Sequence, residues 1–215
     1  MLNKVINLKI DNMKWNTFRL GEIAEEISER VDHPSESDLK KFVGLQNFIS
    51  GDLNVKNFES TENLTSAAKS FKAGDILFAR RNAYLKRASL VNFDGVCSGD
   101  AFVLRENHEL IEPGFLAFIV NSPALWTYAN SNAEGTMSKR VKWRDLAAFE
   151  VKLPPIEEQK RISDLLWSKN TNLEMLESLL SKALVARKAY FQAKISSDEC
   201  VRNKWHSEKL KNFAS

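Results

Sequence analysis

The chain has 215 residues, of which 43% are hydrophobic and 27% charged, a composition typical of a folded globular protein. Lysine and arginine number 31 against 28 aspartate and glutamate, so no polybasic tail dominates and any surface for nucleic acid must come from local clustering of cations. The longest apolar run is six residues, residues 115–120, which excludes a membrane span of roughly 20 apolar residues.

The amino-terminal residues and the cysteines exclude two further classes. Lys4, Lys9 and Asp11 interrupt the apolar residues at the start of the chain, so no signal-peptide core forms. Cys97 and Cys200 are too few for a tetrahedral zinc site or a disulfide framework. We therefore expect a soluble, cytoplasmic protein with no metal site.

Up to about residue 152, short elements of both kinds follow one another irregularly. Apolar residues at helical spacing predict an amphipathic helix over residues 20–30. A second helical stretch opens at Pro113-Gly114, and the lack of regular strand–helix–strand alternation indicates an α+β fold. Runs rich in Val, Ile and Phe predict strands at residues 41–49, 53–58, 75–79, 88–93, 96–104 and 148–153.

The pattern changes at Pro154-Pro155. Proline suits the first turn of a helix, and Glu157 and Glu158 complement its positive end. Residues 156–195 contain neither glycine nor proline, which predicts one helix about 60 Å long. The chain has no second long helix to cover its apolar stripe, so we expect two copies to pair as an antiparallel coiled coil. The predicted dimerisation residues are Ile162, Leu166, Leu173, Leu176, Leu180 and Leu184.

A faint internal repeat follows this helix. Residues 14–23 are echoed by residues 204–213, with Lys, Trp and Leu at matching positions. Because the echo begins just after the long helix, residues 198–215 are interpreted as the start of a second copy of the same unit.

Two basic clusters are candidates for contact with DNA. Residues 78–87 carry four cations with an Asn and a Tyr, and residues 135–144 carry four more after a glycine and small hydroxyl residues. A lone cluster is more simply a solvated hairpin, but two in a chain of charge +3 favour one DNA-facing surface. The predicted DNA-facing residues in the clusters are Arg80, Arg81, Asn82, Tyr84, Lys86, Arg87, Thr136, Ser138, Lys139, Arg140 and Lys142.

Gln46 and Asn47 are added to this set. Their amides offer the donor–acceptor pair that matches adenine in the major groove. A turn or strand-edge hydrogen bond before Gly51 is the slightly simpler explanation for both residues.

Signatures of catalysis are incomplete. Residues 150–152 read Glu-Val-Lys, half of a nuclease motif, but the upstream aspartate is not evident and a solvent-facing strand end is the simpler explanation. Pro154-Pro155 is similar to a loop of amino-methyltransferases, although its flanks lack both the polar group and the aromatic ring. The sequence shows no glycine-rich phosphate loop, so we expect no catalysis and no cofactor on this chain.

Several stretches together resemble the specificity subunits of type I restriction-modification enzymes. Their order and spacing cover nearly the whole chain. The matching stretches are Trp15 with Leu20-Gly21-Glu22-Ile23, residues 42–49 with Gly51, residues 74–80, Ser98-Gly99-Asp100 with residues 103–105, and residues 153–162.

The resemblance implies a non-catalytic, sequence-specific DNA-binding subunit. Full-length members carry two target recognition domains, each followed by a long helix, and dock modification subunits, which methylate adenine with S-adenosylmethionine, and restriction subunits. This sequence shows one recognition domain at residues 1–152 and one helix at residues 153–197. It therefore resembles a half-length subunit, in which a two-fold dimer would replace the second repeat.

Two alternatives stay open. A stand-alone DNA-binding or DNA-modifying protein of another restriction-type system would show its activity in a methylation assay on the purified chain. A plain coiled-coil adaptor would have no use for two basic clusters. In a gel shift with random duplex, such an adaptor would leave the DNA unshifted.

Overall fold

A computed structural model gives the fold of residues 15–196. The predicted start of a second repeat, residues 198–215, lies outside these described residues, as does Cys200. The chain divides into one unit that extends to Leu165 and a second unit that begins at Leu166, inside the long helix. The predicted α+β fold is confirmed.

Three sheets make up the strand content of the described residues. Their strand orders are β1-β11, β2-β10-β7-β8 and β3-β6-β9-β4-β5, and every pair is antiparallel except β4 with β9. The strands are β1 Asn16–Arg19, β2 Ala24–Ile27, β3 Arg30–Val31, β4 Lys41–Val43, β5 Glu59–Ser60, β6 Ala68–Phe71, β7 Ile76–Ala79, β8 Ala88–Leu90, β9 Gly95–Cys97, β10 Ala101–Glu106 and β11 Glu150–Leu153.

Helices connect these strands and follow them. The α-helices are α1 Leu20–Ile23, α2 Leu116–Val120, α3 Pro123–Ser131, α4 Trp143–Ala147 and α5 Ile156–Ser196. The helical stretch predicted after Pro113 corresponds to α2 and α3, and the Ser122 hydroxyl accepts the Leu125 N–H to cap α3. Short 3₁₀ helices lie at Pro34–Glu36, Leu45–Asn47 and Ala83–Leu85. None of the helices in the described residues is long and apolar enough to cross a membrane.

Strand β7 is buried on both faces. Leu77 packs in a core shared with Val43 and Phe71 of the five-stranded sheet. On the opposite face, Phe78 stacks on Trp126 of α3 with ring centroids 4.8 Å apart. A strand covered on both faces requires apolar residues at successive positions, which explains its Ile-Leu-Phe-Ala sequence.

The predicted helix over residues 20–30 is wrong beyond its first turn. α1 ends at Ile23, and the chain continues as β2, which pairs antiparallel with β10. Leu20 and Ile23 are fully buried within that single turn, so the apolar spacing is satisfied without a longer helix. Pairing with β10 satisfies the backbone of residues 24–27 and outweighs the helical preference of their Ala-Glu-Glu-Ile sequence.

Five of the six predicted strand runs contain a strand, although with different bounds, and the strand predicted at residues 53–58 is wrong. Residues 96–104 contain the end of β9 and the start of β10, because the turn at residues 98–100 separates the two strands. Residues 53–58 contain an isolated bridge from Asn54 to Leu90 and no strand. β6 was not predicted, since its Ala-Lys-Ser-Phe sequence is buried only at its two ends and shows no alternation.

The long helix is confirmed over Ile156–Ser196. Its first turn is fixed by the buried Gln159, whose Nε2 donates to the carbonyls of Leu110 and Pro154 at 3.1 and 3.0 Å. Its Oε1 accepts the Glu112 N–H at 3.0 Å. Both ends of this amide are therefore used to hold the start of α5 against the loop that precedes α2.

Candidate nucleic-acid interface

The two basic clusters lie side by side. Arg81 and Arg140 are partners in an antiparallel bridge. The Asn82 N–H donates to the carbonyl of Lys139 at 2.8 Å, and the Val141 N–H donates to the carbonyl of Arg80 at 2.9 Å. Backbone hydrogen bonds thus join segments that are nearly 60 residues apart in the sequence. Contact between these residues and DNA stays a prediction.

Sheet topology explains why the clusters meet at this place. β7 runs directly into the first cluster, and β10 pairs with it so that Ala101 lies opposite Ala79. The residue after β7 and the residue before β10 are therefore neighbours, and the Arg80 N–H donates to the carbonyl of Asp100 at 3.0 Å. The second cluster joins this edge through the hydrogen bond from the Val141 N–H to the carbonyl of Arg80.

Asp100 lies between the two arginines of the bridge. Its carboxylate accepts hydrogen bonds from Arg140, with Nε to Oδ1 at 2.8 Å and Nη2 to Oδ2 at 3.2 Å. Nη1 of Arg81 lies 3.6 Å from Oδ2. The hydrogen bond from Arg140, helped by the charges of Arg140, Arg80 and Arg81, outweighs partial burial and lowers the pKa of Asp100. A negative charge is therefore held at the centre of the basic surface.

The second cluster forms a small closed loop. Glu134 and Arg140 exchange two backbone hydrogen bonds, of 3.0 and 2.8 Å. Gly135 adopts a φ of +124°, a backbone conformation that residues with a side chain rarely adopt. The Ser138 hydroxyl accepts a hydrogen bond from Nη2 of Arg81 at 3.0 Å. The tip is presented to solvent, where Met137 is 97% exposed.

Further polar side chains surround this loop. Thr136 and Lys139 are exposed. Lys142 is also exposed, and its ammonium group pairs with Glu134.

The first cluster displays some side chains and uses others internally. Asn82 and Lys86 both have left-handed backbone conformations, with φ of 55° and 50°, and they flank the 3₁₀ helix Ala83–Leu85. Ala83 is buried beneath this turn, whereas Tyr84 is 65% exposed and Lys86 is exposed. The turn therefore projects an aromatic ring and a cation together.

Arg80 and Arg87 are directed toward the protein itself. The Arg87 guanidinium donates to the carbonyls of Leu45 and Arg81, at 2.9 and 3.2 Å, and burial lowers its pKa. The Arg80 guanidinium lies over the ring of Phe102, 5.5 Å from its centroid. Both side chains are half-buried. These contacts give each arginine a role in holding the loop, while its predicted contact with DNA stays untested.

Gln46 and Asn47 occupy the 3₁₀ helix after β4. Oδ1 of Asn47 accepts the Gly44 N–H at 2.7 Å, which is the turn hydrogen bond that the sequence favoured for this residue. Nε2 of Gln46 and Nδ2 of Asn47 donate to the same carboxylate oxygen of Glu59, at 2.7 and 3.3 Å. Gln46 is nevertheless exposed, and recognition of adenine by these amides stays a prediction.

Sequence reasoning missed Asp100 as a member of this surface. The sequence singles it out only within the Ser98-Gly99-Asp100 stretch of the family resemblance. The available signal was the turn-forming Ser98-Gly99-Asp100 stretch inside the run predicted as one strand, but locating Asp100 beside the arginines requires the pairing of β7 with β10. Glu150 and Lys152, the half nuclease motif, are exposed on β11. Within residues 15–196, no group of three histidine, cysteine or carboxylate side chains is placed to hold a metal ion.

The predicted dimerisation residues lie along α5. Ile162 and Leu166 are half-buried, whereas the leucines further along the helix are 51–62% exposed. These exposed leucines are Leu173, Leu176, Leu180 and Leu184. An apolar stripe is therefore accessible on a single copy, and its pairing with another copy stays a prediction.

Comparison with known proteins gives consistent matches. A model of the type I restriction modification DNA specificity domain matches residues 12–179. The type I restriction enzyme EcoDI specificity subunit of Escherichia coli is 27% identical to the chain, over 74% of this chain and 35% of its own length.

Solved structures agree in fold. The HsdS subunit from Thermoanaerobacter tengcongensis superposes with a TM-score of 0.64 and 26% identity, over 85% of this chain and 50% of that one. A chain from a study of complex assembly and conformational transition of the type I R-M system gives a TM-score of 0.64 and 25% identity, covering 86% and 49%. The chain thus spans about a third of the curated relative and half of these solved chains.

Proposed function

The chain belongs to the family of type I restriction modification DNA specificity domains, and we propose that it binds a specific DNA sequence and directs a partner methyltransferase to that site. The observation that carries the proposal is the backbone pairing of the two basic clusters, which makes one surface from residues far apart in the sequence. DNA as the ligand also implies a cytoplasmic location.

The surface combines two kinds of side chain that DNA recognition requires. Lys86 and Lys139 are exposed cations suited to phosphate groups, which supply affinity without sequence preference. Arg140, Asn82 and Tyr84 offer planar groups that suit base edges. Neutralising Lys139 should weaken binding to all duplexes about equally and lower the salt slope by about one unit.

The chemistry is assigned to partner subunits. We place S-adenosylmethionine and adenine methylation on a modification subunit, and translocation and cleavage on a restriction subunit, as the family resemblance implies. The contribution of this chain would be to choose the site. Methylation by the purified chain alone would contradict this assignment and favour a self-contained enzyme.

Dimerisation through α5 belongs to the same proposal. Burying a leucine side chain stabilises an interface by roughly 1.5–3 kcal/mol, so the exposed leucines of two helices can offset the free-energy cost of association. Two identical DNA-facing surfaces related by a two-fold axis would recognise an inverted repeat with an unread spacer. We propose in addition that residues 205–213, which lie outside the described residues, pack near the recognition domain of the partner copy.

Mapping methylated adenines in cells that carry this chain with its modification subunit tests the proposal. We expect methylation at one interrupted palindrome, lost when Arg81, Lys86, Lys139 and Arg140 are replaced together by alanine. An unchanged methylation pattern in that variant would show that the DNA-facing surface lies elsewhere. A target without dyad symmetry would contradict the dimer.

A further inference from the structure

We infer that Asp100 positions Arg140 to recognise a guanine base in the DNA target. This inference rests on the proposed DNA-binding function and adds a base identity to it. It follows from the way the carboxylate holds the guanidinium, from the pairing of Arg140 with Arg81, and from the presence of a carboxylate on a surface that faces polyanionic DNA.

The carboxylate holds Arg140 by one edge and leaves another edge accessible. Asp100 accepts from Nε and Nη2, the side edge of the guanidinium. Among the described residues, none accepts a hydrogen bond from Nη1, and the Arg140 side chain is 41% exposed. Nη1 and the second hydrogen of Nη2 form the end edge of the group. That edge has the spacing that matches N7 and O6 of guanine.

The backbone places the arginines on one face. Arg81 and Arg140 are directly opposed across an antiparallel bridge, so their side chains leave the same side. Two like charges in this arrangement repel each other, and the carboxylate between them offsets that repulsion. Ser138 fixes Arg81 from its other side through the 3.0 Å hydrogen bond to its hydroxyl.

A carboxylate at this position disfavours a purely phosphate-binding role. Asp100 remains ionised at neutral pH and would repel phosphate groups placed against it. A guanidinium that recognises a base edge gains from the same carboxylate, because its side chain is already ordered before DNA binds. Phosphate affinity would then come from the lysines around the pair.

The experiment uses the full chain with its modification subunit and a pool of randomised duplexes. Sequences selected by the unaltered chain define the target. Each guanine of that target is then replaced in turn by 7-deazaguanine, which lacks the N7 acceptor, and binding is measured by fluorescence anisotropy. The variants are Arg140→Lys, which keeps the charge but loses the planar fork, and Asp100→Asn. Asp32→Asn is the matched control, because Asp32 pairs with Arg30 away from the two clusters.

We expect one guanine at which 7-deazaguanine weakens binding by the unaltered chain about ten-fold. Arg140→Lys and Asp100→Asn should lose the preference for guanine at that position and become insensitive to 7-deazaguanine there, while binding random duplex as before or more tightly. Asp32→Asn should keep the full preference.

Three results would overturn the inference while leaving DNA binding intact. In the first, no 7-deazaguanine substitution in the target changes binding by the unaltered chain. In the second, Arg140→Lys and Asp100→Asn weaken binding to all duplexes equally. In the third, both variants keep the base preferences of the unaltered chain. If the unaltered chain with its partner selects no sequence at all, the proposed function itself fails. Should Asp100→Asn not fold, Arg140→Lys and the modified bases still decide the outcome.

Discussion

Lys86 and Arg87 are adjacent cations with different surroundings. The Arg87 guanidinium joins the first basic cluster to the turn after β4 through the carbonyls of Leu45 and Arg81, whereas Lys86 is exposed at the end of the 3₁₀ helix. A basic side chain in a DNA-facing cluster can therefore stabilise the loop or contact the ligand, and its hydrogen bonds distinguish the two.

Replacing these two residues separately should give opposite results. We expect Arg87→Ala to lower the free energy of unfolding by about 1.5–3 kcal/mol, because two half-buried carbonyls lose charged donors. Lys86→Ala should change it by less than about 0.5 kcal/mol and instead reduce the salt slope of DNA binding. Urea denaturation and anisotropy measure the two effects. Equal stability of both variants would contradict the structural role of Arg87.

Asp100 also makes stability depend on pH. The hydrogen bond from Arg140 lowers its pKa in the folded protein below the ordinary value of 3.8. A depressed carboxyl pKa contributes stability that is fully present above the unfolded value and is lost as the pH falls through the folded value. Asp100→Asn, which resembles the protonated form, should therefore be less stable than the parent at pH 7.

The same difference should disappear in acid. Below the folded pKa the carboxyl of the parent is itself neutral, so parent and variant should unfold at similar urea concentrations. The measurement is the urea midpoint of both proteins from pH 7 down to about pH 2.5, with Asp100 expected to contribute about 1 kcal/mol at neutral pH. A gap that stays constant over this range would contradict the ion pair as its cause.

At the scale of elements, the start of α5 is fixed by hydrogen bonds. The Gln159 amide makes three of them, to Leu110, Glu112 and Pro154, and is almost fully buried. The side chain thereby links the first turn of the helix to the loop after β10. A glutamine in an amphipathic helix is usually solvent-facing, so its burial marks a specific positional role.

Removing this amide should loosen the first turn of α5. We expect Gln159→Ala to destabilise the protein by about 1–3 kcal/mol, because two carbonyls and one N–H lose their partner. Hydrogen exchange should become faster in residues 156–163 in particular. Glu157→Gln, an exposed residue of the same turn, serves as the control and should leave exchange nearly unchanged. Equal hydrogen-exchange rates of residues 156–163 in the two variants would contradict the anchoring role of Gln159.

At the scale of the whole molecule, the proposed pairing of two copies rests on the accessible apolar stripe of α5. Leucines at heptad spacing are more than half exposed over three successive turns of the stripe. Contiguous apolar surface of this kind marks an interface in most proteins that stay in solution.

Charge introduced into this stripe should separate the copies. We expect the parent chain to sediment as a dimer at micromolar concentration and Leu176→Glu with Leu180→Glu to sediment as a monomer, since each buried carboxylate would need desolvation without a partner. Ser178→Glu places the same charge on the opposite face and should leave the dimer intact. A monomeric parent, alone and with its modification subunit, would contradict the proposed assembly.

The sequence by itself determined the features that depend on local pattern. The diproline and the absence of glycine and proline over residues 156–195 located α5, the apolar run located β7, and the composition of two segments identified the basic clusters. These signals are local because helix periodicity, proline geometry and charge clustering act over a few residues.

Tertiary structure alone decided what these elements do together. Residues 24–27 became a strand because β10 offered an edge for pairing, and the sequence of those four residues does not indicate that partner. Asp100 joined the basic surface because β7 ends where β10 begins, and Arg87 turned inward because the carbonyl of Leu45 lies within reach. Each outcome depends on contacts between residues distant in sequence. Strand pairing and burial determine these contacts and can override the local preference of a segment for helix or strand.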